Sequence, residues 1–165
     1  SMEDGIAFVT SHRSAIDEAG SVIADPAIDP LPVEETSRIP GQMAIYGILE
    51  KQANFIGEFT TVLLPRSARE TVREILTQEP ATVLPDVECW LRLLEKGDLL
   101  YLVDTLSSFR KHDGQAGADP AAQIEGARAW AKLLRERAAQ ESGMRRKKMF
   151  EQAELIETFL RARGR

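Results

Sequence analysis

Residues 98–110 read DLLYLVDTLSSFR, and the structure of this stretch decides the fold class of the whole chain. Its apolar residues recur at three- and four-residue steps, namely Leu99, Leu102, Val103, Leu106 and Phe109. This spacing is typical of one face of an amphipathic helix. Asp98 precedes the stripe, where a carboxylate can cap a helix N-terminus. We therefore predict a helix that begins after Asp98 and ends near the Asp113-Gly114 turn signal.

The residues before position 98 also carry helical signals. Pro85 and Asp86 suit a first helical turn, and Gly97 suits the left-handed position that follows a helix. The apolar face between them consists of Val87, Trp90, Leu91 and Leu94. Further upstream, Ser67 and Glu70 have the spacing of a capping box, and Pro80 closes the short helix that they begin.

The longest apolar pattern lies between Gly41 and Pro65. Its members recur at helical spacing and are Ile45, Ile48, Leu49, Phe55, Ile56, Phe59, Val62 and Leu63. A single wide apolar face of this length predicts one long amphipathic helix that ends at Pro65.

The C-terminal segment begins at Asp119-Pro120, which supplies an N-cap followed by proline in the first turn. An unbroken helix from there to Arg163 would reach roughly 65 Å, which exceeds the width of a compact domain of this size. We predict a break at Ser142-Gly143, the only plausible breaker. The first helix would then bury Ile124, Ala127, Ala131 and Leu134, and the second Met149, Phe150, Ala153, Ile156, Phe159 and Leu160. The alternative is one protruding helix that meets a partner.

The first 40 residues differ from the rest. Residues 5–10 and 21–24 have strand composition, and Pro26, Pro30 and Pro32 then interrupt regular structure. We predict an acidic, proline-containing arm over 1–40 that is irregular or extended, with short strands that lie on the body or on a partner.

Together these patterns predict an all-α fold, in which the arm precedes a bundle of five to six amphipathic helices over 41–165. No motif recurs at a fixed period, so a helical repeat protein is not predicted. The longest apolar runs are only a few residues, and no secretory pattern opens the chain. We therefore expect a cytoplasmic protein without a transmembrane segment.

The net charge of −5 hides a gradient along the chain. Residues 1–40 hold two bases and eight acids, residues 41–127 hold eight and thirteen, and residues 128–165 hold eleven and five. The C-terminal helices are therefore basic, which indicates either docking of the acidic arm on the basic tail or separate partners. Arginine outnumbers lysine fifteen to six, a bias typical of a GC-rich bacterial genome.

The usual signatures of chemistry are missing. The sequence has no phosphate-binding glycine loop and no G-x-S-x-G nucleophile motif. Cys89 lies inside a helical pattern as a packing residue, and neither His12 nor His112 has a neighbour at metal-ligand spacing. We predict no catalytic residue, no cofactor and no metal, and hence a non-enzymatic protein. An enzyme would instead require a deep pocket with converging polar groups such as Tyr46, Glu50 or His112.

The most distinctive local feature is the basic run Arg145, Arg146, Lys147 and Lys148. At a helix N-terminus such a run opposes the helix dipole, so helix stability does not explain it. Trp130 lies slightly off its apolar stripe and is a candidate anchor for a partner. In the arm, Phe8 and Val9 could add a strand to the edge of a partner's sheet.

These residues predict a bacterial adaptor, accessory or regulatory domain that binds another protein. The alternative is a nucleic-acid-binding accessory factor, because a phosphate backbone also suits the basic C-terminal third. The C-terminal helices could further join two copies of the chain in a homo-oligomer.

Overall fold

The structure is a computed structural model that describes residues 5–25, 28, 33–112, 114 and 119–163. The chain forms two compact units, Ser1–His112 and Asp113–Arg165, which we call unit 1 and unit 2 and describe separately. The predicted connector over 114–118 lies, apart from Gly114, outside the described residues, as do Pro26, Pro30 and Pro32.

Unit 1 is built on a four-stranded mixed sheet, so the predicted all-α fold is wrong. The strands are β1 (Ile6–Ile16), β2 (Val22–Ile23), β3 (Ser37–Ile39) and β4 (Asp98–Arg110). Their order in the sheet is β2-β1-β4-β3. The two central strands, β1 and β4, run parallel, and the short edge strands are antiparallel to them. The arm predicted over 1–40, with strand composition at 5–10 and 21–24, therefore supplies the central strand β1 and the edge strand β2.

The stretch 98–110 forms strand β4. In the N-terminal half of this strand, burial alternates from one residue to the next, as expected for a strand. Leu99 and Tyr101 are buried, while Leu100 and Leu102 are half-buried. Central strands of parallel pairs have apolar residues on both faces and so read as nearly continuous apolar runs. A nearly continuous apolar run also contains apolar residues at helical spacing, so the pattern alone does not distinguish a strand from a helix.

Three helices accompany the sheet in unit 1. They are α1 (Gly41–Lys51), α2 (Arg69–Thr77) and α3 (Pro85–Leu94), with 3-10 turns at Phe59–Thr61 and Arg66–Ala68. Helices α2 and α3 confirm two predicted helices, and Pro85 stands in the first turn of α3 as expected. The capping box is not formed, because the N-cap residue of α2 is Ala68 and no side chain caps it.

The predicted long helix over 41–65 ends at Lys51. Gln52 adopts a left-handed conformation with φ of 50°, which stops the helix. Asn54 then holds a turn, since its side chain accepts a hydrogen bond from the Gly57 N–H and donates one to the Gly57 carbonyl. Such local bonds compete with helix formation. Phe55 and Ile56 still become buried, but from a loop.

Gly97 and Asp98 serve purposes other than those predicted. A Cβ at Gly97 would lie 2.7 Å from the Gly5 carbonyl oxygen, so glycine is required for the close approach to β1 rather than for a left-handed turn. The Asp98 carboxylate accepts the Gly41 N–H at 3.0 Å and therefore satisfies the first turn of α1. It also pairs with Arg38 at 2.8 Å, which lowers the pKa of Asp98 through that hydrogen bond.

The core of unit 1 lies between the sheet and the helices. Its largest fully buried side chains include Phe8, Trp90 and Tyr101. The Trp90 ring centre is 5.1 Å from those of Phe8 and Phe59. Aromatic pairs at such distances add to the stabilisation from apolar burial. Helix α3 is thereby fixed against β1.

Unit 2 is a pair of helices, α4 (Pro120–Gln140) and α5 (Gly143–Arg163), which confirms the predicted break. The Asp119 side chain accepts the Ala121 N–H as an N-cap, and Gly143 adopts a positive φ of 62° at the bend. The buried residues of the pair are Ala131, Leu133, Leu134, Ala138, Met149 and Ala153. None of the helices in the described part of the chain is both long and apolar enough to traverse a bilayer.

Candidate functional site

Two regions concentrate unusual side chains, and the first is a polar cluster inside unit 1. It consists of Arg13 from β1, Asn54 and Glu58 from the loop after α1, and Asp86 from the first turn of α3. The fold thus brings together residues from three segments that lie 28 to 73 positions apart in the sequence.

Arg13 lies at the centre of this polar cluster. Its guanidinium donates from Nη1 to both Glu58 carboxylate oxygens, at 2.7 and 2.6 Å, and from Nη2 to the Asn54 carbonyl at 2.7 Å. The Arg13 side chain is only 5% exposed, whereas that of Glu58 is 38% exposed. A buried guanidinium is tolerated because its charge is matched and most of its donors are used. The Arg13 Nε is buried with no hydrogen-bond partner among the described residues.

Asp86 is the titratable group whose ionisation the polar cluster alters. Burial raises the pKa of Asp86, and the nearby charge of Glu58 raises it further, while hydrogen bonds from the Val87 N–H and from Asn54 act in the opposite direction. The Asn54 amide donates to Asp86 Oδ2 at 2.7 Å. Perturbed carboxyl groups of this kind are found at functional sites and in structural networks alike.

Strand β1 is irregular beside the polar cluster. The pairing of β1 with β4 shifts register on both sides of His12, which is typical of bulges. The His12 ring meets the Tyr101 ring edge-on at 5.1 Å. Two further buried atoms, His12 Nε2 and Ser107 Oγ, lack a hydrogen-bond partner within the described ranges.

The bonds of the polar cluster run almost wholly between its own members. They tie β1, the loop after α1 and α3 together, and the Trp90 Nε1–H adds a bond to the Gly57 carbonyl at 2.9 Å. Across the described residues, no group of three or more His, Cys, Asp and Glu side chains is placed to hold a metal ion. Burial raises the pKa of the Cys89 thiol to about 11, which keeps it protonated and unreactive.

The second region is the outward side of α5 in unit 2. Met144, Leu155 and Phe159 are 85%, 71% and 53% exposed, and we call them the outer stripe. At 3.6 residues per turn, these three residues fall within an arc of about 60°. The buried Met149 and Ala153 are centred roughly 130° away around the helix. Helix α5 is therefore apolar on two sides.

Both ends of α5 are basic. Arg145, Arg146, Lys147 and Lys148 are exposed in the first turns, and Arg161 and Arg163 are exposed in the last. The Arg146 guanidinium lies over the Phe150 ring at 5.5 Å, and that of Arg163 over the Phe159 ring at 4.6 Å. Lys147 Nζ is 3.7 Å from Glu151, a loose ion pair.

A groove of about 380 Å³ also runs between α4 and α5. Its lining includes Arg128, Lys132, Arg135 and Glu157. Arg135 binds Glu157 through two parallel bonds of 2.6 and 2.8 Å. Arg128 is paired with Glu125, and Lys132 lies 3.8 Å from Glu136. The positive charges of this groove are thus already matched by carboxylates.

The structure places the residues predicted to bind a partner in different environments. Arg145 to Lys148 are exposed on α5, and Trp130 is half-buried on α4. Phe8 is fully buried against Trp90. Val9 exchanges backbone hydrogen bonds with Leu63 at 3.0 and 2.9 Å, so its edge is already occupied.

Sequence reasoning missed both the outer stripe and the polar cluster. Phe159 was assigned to the buried face of its helix, yet it points outward with Met144 and Leu155. The sequence did contain a signal for the outer stripe, because residues that are eleven or four positions apart lie on the same side of a helix. The polar cluster gave no local signal, since its members come from three separate segments.

The comparisons with known proteins identify no relative. The chain matches no protein-family model, no curated protein and no solved structure.

Proposed function

We propose that this chain is a protein-interaction module that binds its partner through the outward side of α5. The observation that supports this proposal is the outer stripe of Met144, Leu155 and Phe159 on a helix that already has a buried face. Scattered exposed apolar residues are common on proteins, but alignment along one helix is typical of a helix that receives another helix.

Burial favours such docking energetically. Full burial of a Leu, Met or Phe side chain contributes about 1.5–3 kcal/mol relative to exposure. A dissociation constant of 1 μM corresponds to a binding free energy of about 8 kcal/mol. Burial of three such side chains therefore supplies a substantial part of the free energy that binding at this affinity needs.

The outer stripe also separates the proposal from the nucleic-acid alternative. Phosphate contacts use cationic or neutral hydrogen-bond donors and leave exposed apolar side chains without a counterpart. Glu151, which lies between Met144 and Leu155, would repel a phosphate backbone. A protein partner accommodates both the apolar side chains and the basic ends.

We further propose that the module is non-enzymatic and acts in the cytoplasm. The internal pairing of the polar cluster supports the first statement. The second is supported by the cysteine content, because the single Cys89 provides no internal disulfide of the kind that stabilises many secreted domains.

Affinity capture from the native host tests the proposal when it compares variants of the full chain. We expect a protein that is retained by the wild-type chain and lost from the double variant Leu155→Ser, Phe159→Ser. The matched control is Leu106→Ser, because Leu106 is 65% exposed but lies in unit 1. This control should retain the same protein. Equal retention by all three chains would refute docking through α5.

A further inference from the structure

We infer that the partner surface is an amphipathic helix of about 20 residues that carries carboxylates near both ends and apolar residues between them. This inference rests on the proposed docking through α5, and it specifies the chemistry of the occupant. It is carried by the order of residues along the helix: the basic run follows Met144 directly, acids and the apolar Leu155 and Phe159 come next, and Arg163 lies near the C-terminal end.

The dimensions of the surface set the length of the partner helix. Met144 and Phe159 are 15 positions apart, which corresponds to about 22 Å of helix. The basic run lies within this span, directly after Met144, and Arg163 extends the surface by about one turn beyond Phe159. A partner helix of five to six turns would therefore contact the outer stripe and both basic ends at once.

A second copy of this chain fits the surface poorly. If two α5 helices paired in parallel through the outer stripe, Arg145, Lys147 and Lys148 of one copy would lie beside the same residues of the other. If they paired antiparallel, these residues would lie near Arg163 of the other copy. Both arrangements place like charges opposite each other, which is destabilising. The homo-oligomer expected through the C-terminal helices is thus disfavoured in either direction.

A helix with acidic ends meets the same surface with opposite charges. The Arg163 guanidinium, held 4.6 Å from the Phe159 ring centre, places a cation at the edge of the outer stripe. Bonds from guanidinium to carboxylate combine charge with directed donors. The two charged ends would fix the position of the partner helix along α5, while the outer stripe supplies the burial.

Three synthetic helical peptides of 20 residues test the inference. They share one leucine-rich face and differ only near the ends, where they carry Glu, Gln or Lys. Binding of each labelled peptide to the full chain is followed by fluorescence anisotropy at 50 mM and 500 mM NaCl. We expect the Glu peptide to bind at least tenfold more tightly than the Gln peptide at low salt, and the difference to fall below threefold at high salt.

Two sets of variants separate the contributions of burial and charge. Leu155→Ser with Phe159→Ser should weaken binding of the Glu and Gln peptides alike by tenfold or more. Neutralising the run (Arg145→Gln, Arg146→Gln, Lys147→Gln, Lys148→Gln) should remove only the preference for the Glu peptide. Leu106→Ser in unit 1 should change neither, and circular dichroism checks that each variant keeps its helix content.

The possible results distinguish the inference from the proposed function. Equal affinity for the Glu and Gln peptides would overturn the inference, and docking through α5 would then be judged by the capture experiment alone. Tighter binding to mixed-sequence duplex DNA, or to phosphatidylserine vesicles, than to the Glu peptide would also overturn it. A dimer seen by sedimentation that Phe159→Ser dissociates would show that a second copy is the occupant.

Discussion

Two arginine–glutamate pairs show how differently the two units use charge. In unit 1, Arg13 is 5% exposed and holds Glu58 across 45 positions of sequence. In unit 2, Arg135 is 39% exposed and holds Glu157 across two neighbouring helices. In the first pair the guanidinium is buried and its partner Glu58 is 38% exposed, whereas both members of the second pair are partly exposed on a helix hairpin. The pair of unit 1 therefore ties β1 to the loop after α1, whereas the pair of unit 2 joins the surfaces of two adjacent helices.

Breaking the pair that holds the buried Arg13 guanidinium should have the largest effect. Glu58→Ala leaves the Arg13 guanidinium buried without a counter-charge, and we expect a loss of about 3 kcal/mol in the free energy of unfolding. Urea denaturation followed by Trp fluorescence measures it. The control is Glu70→Ala, which breaks an exposed pair with Arg73 and should change stability by less than about 0.5 kcal/mol. A similar small loss for Glu58→Ala would contradict the assigned role of Arg13.

Two glycine substitutions compare the packing of the units. Gly97→Ala places a methyl group 2.7 Å from the Gly5 carbonyl oxygen, so β1 and β4 must separate, and we expect a loss of about 2 kcal/mol. Gly126→Ala on α4 meets no atom within 4 Å and should stabilise the protein by about 0.5–1 kcal/mol through helix propensity. Thermal unfolding measures both changes. Equal shifts of the two melting temperatures would contradict this difference in packing.

Breaking the exposed pair should have a small effect. Arg135→Gln removes the bonds to Glu157, which water can replace at this exposure, so we expect a much smaller loss in the free energy of unfolding than for Glu58→Ala. The loss should decrease further in 500 mM NaCl. Chemical denaturation at two salt concentrations tests this prediction. A loss comparable to that of Glu58→Ala would remove the distinction between the two pairs.

Asp86 provides a test through pH. Because burial raises its pKa, the folded protein retains the Asp86 proton to higher pH than the unfolded chain does. The contribution of Asp86 to stability is therefore greatest below its ordinary pKa of 3.8 and declines as pH rises through the folded value. Asp86→Asn removes this dependence, so the melting temperature of the variant minus that of the wild type should increase from pH 4 to pH 7. A decrease in this difference would refute the raised pKa of Asp86.

The local signals in the sequence were sufficient for several elements but not for the fold class. Pro85 and Asp119-Pro120 mark helix starts, and Ser142-Gly143 marks a break, because their effects are confined to one or two turns. Residues 98–110 are different, since a strand or a helix there depends on β1, which lies some 90 positions away. Gln52 is similar, because the loop that it begins is stabilised by Asn54 and by contacts to Arg13 and Asp86.

The candidate surface was predictable only in part. The basic run of Arg145 to Lys148 is visible as consecutive letters, and the structure places it at one end of α5. The outer stripe was missed because Phe159 follows Ile156 at helical spacing and so continued the expected buried face. A helix with two apolar sides has apolar residues around much of its circumference, so the sequence alone does not show which side is buried. The packing of α4 against one side decides this.

The parallel pairing of β1 with β4 has a consequence for synthesis of the chain. Ile6 is paired with Asp98, so β1 must wait for roughly 90 further residues before its neighbour leaves the ribosome. At 5–20 residues per second this interval lasts about 5–18 s. Throughout it, the backbone of β1 has no β4 to pair with, and Phe8 is uncovered until Trp90 of α3 is made. The nascent chain should therefore depend on chaperones between the synthesis of β1 and that of β4, and a stalled product that ends before β4 should aggregate.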